Sequence, residues 1–242
     1  MESAFLATDL RLLVFDLDGT LIDSQVDLVN SVNATLEAFH LQPLDHPTVA
    51  TYIGDGAAML IRRALAQANG APPEEDFASH ALEYFLEYYK VHKLDFTYVY
   101  DGVFTSLRAI RRALPQLPMA ILTNKPFRPS RAICDVLQLS PFFFQNYGGD
   151  SFINKKPDPE GFFQLMEEAS ALMGLPIQAS QTIMIGDSGV DIATAKVAGA
   201  RSIGCQYGLS PNSVLAAAPD AIAETPFDWA PLLGVSLEQV GS

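Results

Sequence analysis

An apolar run, Leu12-Leu13-Val14-Phe15, breaks without a spacer into Asp16-Leu17-Asp18-Gly19-Thr20. The run reads as a short buried strand, and the two carboxylates sit at or just past its end. Alternation along an extended chain turns both to one side, with Leu17 facing the other way. Like charges in a buried position are costly unless a cation or a proton compensates them. The pair therefore points to a catalytic metal site.

The remaining chain supports that reading. Val26, Val29, Val32, Leu36 and Phe39 fit one helical face, as do Leu60, Ile61, Ala64, Leu65 and Ala68, and then Phe77, Ala81, Phe85 and Tyr88. Pro43, Pro47 and Asn69-Gly70-Ala71-Pro72-Pro73 interrupt the series. Residues 24–95 thus read as a helical insertion. Alternation of helix and strand resumes near residue 101. Strands are expected at 119–122, 142–147, 182–185 and 201–204, with a further strand or helix edge at 221–223. Helices are expected around Leu107, Ile133 and Leu165. This rhythm predicts an α/β fold: a Rossmann-like parallel sheet core, residues 1–23 and 96–242, with an inserted helical cap, residues 24–95.

With 49% hydrophobic residues and 18% charged, the chain can bury a substantial core and is not expected to be disordered. Its formal net charge of -13 disfavours nonspecific binding to nucleic acid. A small anionic substrate is compatible with that charge, because Mg2+ and a few lysines reverse the potential locally. Cys134 and Cys205 are expected to be reduced. No segment reads as a signal or a membrane span, so a cytoplasmic location is expected and no membrane partner is. Oligomeric state is not legible.

Ligands in parallel sheets bind beyond the carboxyl ends of the strands. Four polar clusters occupy those predicted ends. Asp16 is the candidate nucleophile, and Asp18 the acid and base, for phosphoryl transfer. Thr123 and Asn124 fit one wall of a pocket for the transferring group, or alternatively cap the next helix. Lys125 points to a leaving group or to solvent. Lys156 suits phosphate and orients Asp16, whereas Lys155 reads as a solvated turn residue. Asp187 is a candidate Mg2+ ligand. Asp191 either holds a metal-bound water, orients Lys156, or favours a helix N-terminus. Gly54-Asp55-Gly56 reads as a cap loop that contacts substrate or as a plain turn. The four histidines form no metal constellation.

The ordered set Asp16-Leu17-Asp18-Gly19-Thr20-Leu21-Ile22-Asp23-Ser24, Thr123-Asn124-Lys125, Lys156-Pro157-Asp158-Pro159 and Gly186-Asp187-Ser188-Gly189-Val190-Asp191 resembles the haloacid dehalogenase superfamily over most of the chain. With Ile53-Gly54-Asp55-Gly56, Pro126 and Gly148-Gly149-Asp150, the chain is most similar to the phosphoglycolate phosphatase-like branch. Gly189-Val190 and Asp55 depart from residues common there. The resemblance implies Mg2+-dependent hydrolysis of a small phosphate monoester, with 2-phosphoglycolate first in line, through a phosphorylated Asp16. It also implies Mg2+ bound by the Asp16 side chain, the Asp18 carbonyl and Asp187, with Asp191 supporting. Thr123 and Lys156 would hold the phosphoryl group. The alternatives are sugar phosphates or pyrophosphate as substrate, a sugar-phosphate mutase, and a non-catalytic sensor of a phosphorylated metabolite.

Overall fold

Short apolar runs become strands here because both faces of the sheet are covered. The computed structural model describes residues 9–237. Its main sheet has six strands, all parallel, in the order β5(Gln145–Tyr147), β4(Met119–Leu122), β1(Leu12–Phe15), β6(Thr182–Gly186), β7(Arg201–Cys205), β8(Ala221–Ala223). Alternate residues of each central strand enter opposite cores. Leu13, Phe15, Ile121, Ile183 and Ile185 pack with α5(Val103–Ala113), α6(Phe127–Val136) and Trp229. Leu12, Val14, Ala120 and Met184 pack with α7(Glu160–Met173) and α8(Gly189–Ala198). Burying β-branched and aromatic side chains on both faces is the main favourable term for such a sheet.

A third apolar cluster is drawn from the insertion: Leu28, Val29, Val32, Leu36, Val49, Ile61, Leu65 and Phe85 are among its buried members. It is formed by α1(Gln25–Ala38), α2(His46–Ala50), α3(Ala57–Asn69) and α4(Glu75–His92). The two ends of this segment are joined by a feature absent from the sequence reading. β2(Ile22–Asp23) pairs antiparallel with β3(Tyr98–Val99), setting Ile22 against Val99 and Asp23 against Tyr98. Just beyond, the buried Asp27 carboxylate of α1 accepts from Phe96 N at 3.0 Å, Thr97 N at 2.8 Å and Thr97 Oγ1 at 2.6 Å. The return strand is thereby tied to the first turn of α1.

Several expected faces shift. The buried stripe of α4 is Ala78, Ala81, Phe85 and Tyr89 rather than one through Phe77 and Tyr88. Phe77 instead packs edge-on against Phe39, and Tyr88 stacks on His92. Val26 is exposed. The expected strand at 142–147 begins only at Gln145, because Pro141 starts a 3-10 turn over Ser140–Phe142. The C-terminal segment adds α9(Pro211–Ala216), β8 and α10(Trp229–Leu232), and Trp229 is fully buried against Phe15. Both cysteines are free and buried. No helix among the described residues is long and apolar enough to cross a membrane.

Candidate active site

Three neighbouring strands end one residue ahead of a polar side chain: Phe15 before Asp16, Leu122 before Thr123, Gly186 before Asp187. The ladder carries on into these residues. Asp16 N donates to Ile185 O at 2.9 Å, and Thr123 N donates to Tyr147 O at 3.0 Å. Backbone hydrogen bonds thus fix the side chains at the sheet edge, where ligands of such sheets bind. Thr123 Oγ1 accepts from Lys125 N at 3.2 Å, so its own proton stays available to a ligand.

Lys156 arrives from the loop that precedes α7, next to a cis peptide bond to Pro157. Its Nζ donates to Asp16 Oδ1 at 2.8 Å and to Asp191 Oδ1 at 2.6 Å, all three groups being buried. Burial opposes the lysine charge, but Asp16 and Asp191 outweigh it and hold its pKa above the usual range. Asp191 also closes the N-terminus of α8: its Oδ2 accepts from Ser188 N at 3.0 Å and Ser188 Oγ at 2.6 Å, and Ser188 is the cap residue. Two readings of Asp191, helix terminus and partner of Lys156, are therefore both realised.

Asp187 Oδ2 accepts from Leu209 N at 2.7 Å, and Thr20 Oγ1 reaches Oδ1 only at 3.5 Å. Gly19 permits this packing. Its φ is +81°, and a Cβ there would lie 2.1 Å from Asp187 Oδ2. Carboxylate oxygens of Asp16, Asp187 and Asp191 all lie within 4.8 Å of one another. Burial raises Asp16 to about 6, with Lys156 pulling it down and Asp191 pushing it up. Burial, then Asp16 and Asp191, also push Asp187 well above the usual carboxylate range. Asp16, Asp187 and Asp191 face one lysine, Lys156, and the two negative charges left over are what one divalent cation neutralises. The donors are all oxygen, the preference of Mg2+ rather than of a thiolate- or imidazole-seeking metal. The site fits Mg2+, with Asp191 in the closest trio and the Asp18 side chain turned elsewhere.

Asp18 meets a second lysine. Lys125 Nζ lies 3.0 and 3.2 Å from the two Asp18 oxygens and donates to Tyr89 Oη at 2.6 Å. Ser24 Oγ donates to Asp18 Oδ1 at 2.5 Å, leaving the helix-capping role open to Asp23, whose Oδ1 accepts from Gln25 N. Lys125 is therefore neither solvated nor loose. Tyr89 was missed as part of the site. Its signal in the sequence was one more aromatic on a helix, which is ordinary core material.

The remaining residues stitch the insertion to the sheet edge. Asn124 Nδ2 donates to Gly54 O at 3.1 Å and Lys156 O at 3.2 Å, while its buried Oδ1 has no protein partner. The Asn124 amide expected to face substrate thus ties two loops together. Lys155 Nζ donates to the Asp55 carbonyl instead of standing in solvent. The Asp55 carboxylate is paired with Arg63. Gly54 lines the cleft above Asp16 and Asp18, together with Thr123, Asn124, Lys125 and Tyr89.

A parallel sheet that gathers aspartates and a lysine at adjacent strand ends, under a helical insertion, defines a phosphoryl-transfer enzyme. The chain belongs to the haloacid dehalogenase-like hydrolase family, whose profile matches residues 13–205, and its similarity to the family's phosphatases, with the buried aspartate cluster, makes it a phosphatase. It is 40% identical over 200 residues to the phosphoglycolate phosphatase of Pseudomonas fluorescens strain Pf0-1, covering 82% of this chain and 70% of that one. It is 36% identical over 208 residues to the phosphoglycolate phosphatase of Chromobacterium violaceum, covering 86% of this chain and 90% of the other. Among solved structures, one described as a predicted phosphoglycolate phosphatase from Haemophilus somnus 129PT superposes with a TM-score of 0.82 at 30% identity, covering 91% of this chain and 96% of that chain.

Proposed function

We propose that the chain hydrolyses 2-phosphoglycolate to glycolate and phosphate, using Asp16 as nucleophile, with residues 24–95 acting as a cap over the site. The observation that carries the chemistry is the buried Lys156 held between Asp16 and Asp191 at the end of β1. The substrate leans on the name borne by the relatives from Pseudomonas and Chromobacterium.

Lys156 takes Asp16 Oδ1, which leaves Oδ2 to attack phosphorus in line. Lys156 Nζ and the Thr123 hydroxyl donate to the phosphoryl oxygens as charge moves onto them. Asp18 gives a proton to the departing alcohol oxygen, so that neutral glycolate hydroxyl leaves and Asp16 carries the phosphoryl group. Asp18, now a carboxylate, takes a proton from the water that attacks phosphorus. The P–O bond to Asp16 breaks, and phosphate and the free carboxylate return. Asp16, Asp187 and the Asp18 carbonyl, supported by Asp191, would hold Mg2+, which supplies charge neutralisation between nucleophile and substrate. The cap excludes bulk water during transfer. The setting proposed is the cytoplasm and the partner a small phosphorylated metabolite.

The test is steady-state phosphate release from 2-phosphoglycolate, with Mg2+ and with chelator. High kcat/KM that vanishes on chelation is expected. Negligible Mg2+-supported release by folded protein, with turnover of sugar phosphates or pyrophosphate, overturns the substrate.

A further inference from the structure

We infer that Lys125, braced by Tyr89 of the insertion, is the specificity-determining residue that reads a second negative charge on the leaving group. This rests on the phosphoglycolate reading above. The cleft over Asp16 and Asp18 is walled by apolar side chains, Leu28, Ile53, Leu60, Phe85 and Leu86 among them. Lys125 is the one cationic side chain among the residues lining it. Nearby cations of the insertion and its contact loop are engaged elsewhere: Arg62 with Glu75, Arg63 with the Asp55 carboxylate, Lys155 with the Asp55 carbonyl.

Hydrogen-bond arithmetic points the same way. An ammonium has three donors. Two span the Asp18 oxygens, at 3.0 and 3.2 Å, and one serves Tyr89 Oη, so a ligand carboxylate takes over the donor on the longer Asp18 contact. Tyr89 accepts from Lys125, and no described residue takes its own hydroxyl proton, so that proton is also available to the cleft. Burial pushes the Tyr89 hydroxyl up to about 12, which keeps it a donor near neutral pH. Lys125 Nζ also sits 4.6 Å from the Tyr89 ring centroid, which fixes the ammonium from a second direction. Two donors side by side suit the two oxygens of a carboxylate.

The register fits a phosphorylated 2-hydroxy acid. Asp18 must reach the ester oxygen of the leaving group to protonate it. Lys125 is bonded to that same Asp18, so it lies within reach of a carboxylate only two bonds further along the substrate. A leaving group with no second charge would leave the Tyr89 hydroxyl proton unmatched in an apolar cleft and forgo the charged contact to Lys125. That mismatch costs binding and so discriminates between substrates.

The experiment compares kcat/KM for 2-phosphoglycolate and for ethyl phosphate, which lacks the carboxylate, in wild type, Lys125→Met, Lys125→Arg and Tyr89→Phe. The quantity read is the ratio between the two substrates. The wild type is expected to prefer 2-phosphoglycolate strongly. Lys125→Met should lower the ratio about 30-fold, mainly through KM for 2-phosphoglycolate, as expected for loss of a charged hydrogen bond. Lys125→Arg should retain part of the preference. Tyr89→Phe keeps the Lys125–Asp18 pair and should lower the ratio roughly 5-fold, which preserves the test if Lys125→Met does not fold. A wild type that prefers 2-phosphoglycolate, with Lys125 and Tyr89 variants that keep the full ratio, overturns the inference and leaves the substrate reading standing. A wild type with no preference overturns both.

Discussion

Asp16, Asp18 and their lysines illustrate how few atoms set this site. Asp16 has one oxygen on Lys156 and the other is the proposed nucleophile, while Asp18 is held by Lys125 and Ser24. Asp16→Asn keeps shape and removes the charge of the nucleophile, so phosphate release should fall by at least about a thousandfold in a steady-state assay. Gly19 has a quieter role with a comparable consequence. Any Cβ on it would lie 2.1 Å from Asp187 Oδ2, and its φ of +81° is strained for other residues. Gly19→Ala should displace Asp187 and weaken Mg2+ activation by roughly a hundredfold, measured by Mg2+ titration of activity. Asp16, Thr123 and Asp187 stand out in the sequence because each directly follows a strand, and Asp18, Lys156 and Asp191 because they lie in short polar motifs just beyond strands or turns. The Lys125–Asp18 pair spans 107 positions, and nothing local reports which carboxylate a lysine will meet.

At the scale of elements, the β4-β1-β6 triplet brings Thr123, Asp16 and Asp187 side by side, and its apolar runs were readable in advance. The hinge was not. β2 and β3 contribute two residues each, too short for any periodicity, and their pairing joins segments 75 positions apart. Asp27 then holds Phe96 and Thr97 from α1. Asp27→Ala strands those donors in a buried position and should destabilise the chain by about 1–3 kcal/mol in urea unfolding. Asp27→Asn keeps an acceptor and should lose less. Equal stability of Asp27→Ala and wild type would contradict a structural role for this tie between α1 and the return strand. The stripe of α4 was misread by one residue for a similar reason. Phe77, Tyr84, Tyr88 and Tyr89 are all plausible core aromatics by type, and only packing against α1 and α3 selects Tyr89.

Over the whole molecule, buried carboxylates tie stability to pH and to Mg2+. In the metal-free protein, burial raises Asp16 from 3.8 to about 6 and pushes Asp187 well above the usual carboxylate range, so the folded state holds protons that the unfolded chain releases. Their contribution is therefore present below about pH 4 and is lost as pH rises through about 6 and beyond. Mg2+ replaces those protons. At a hundredfold excess over its Kd it should raise Tm by roughly 5–10 °C near pH 7.5, and by less near pH 5. Scanning calorimetry with Mg2+ and with chelator measures this, and an increment that does not grow with pH would contradict the shared site. The central claim is that Asp16 carries the phosphoryl group. It is tested most directly with Asp18→Asn and p-nitrophenyl phosphate, whose leaving group needs no acid while hydrolysis of the intermediate still needs the Asp18 base. A burst of about one nitrophenolate per enzyme, with the phosphoryl group found on the peptide that contains Asp16, is the predicted result. Slow linear release with no phosphorylated peptide would contradict it.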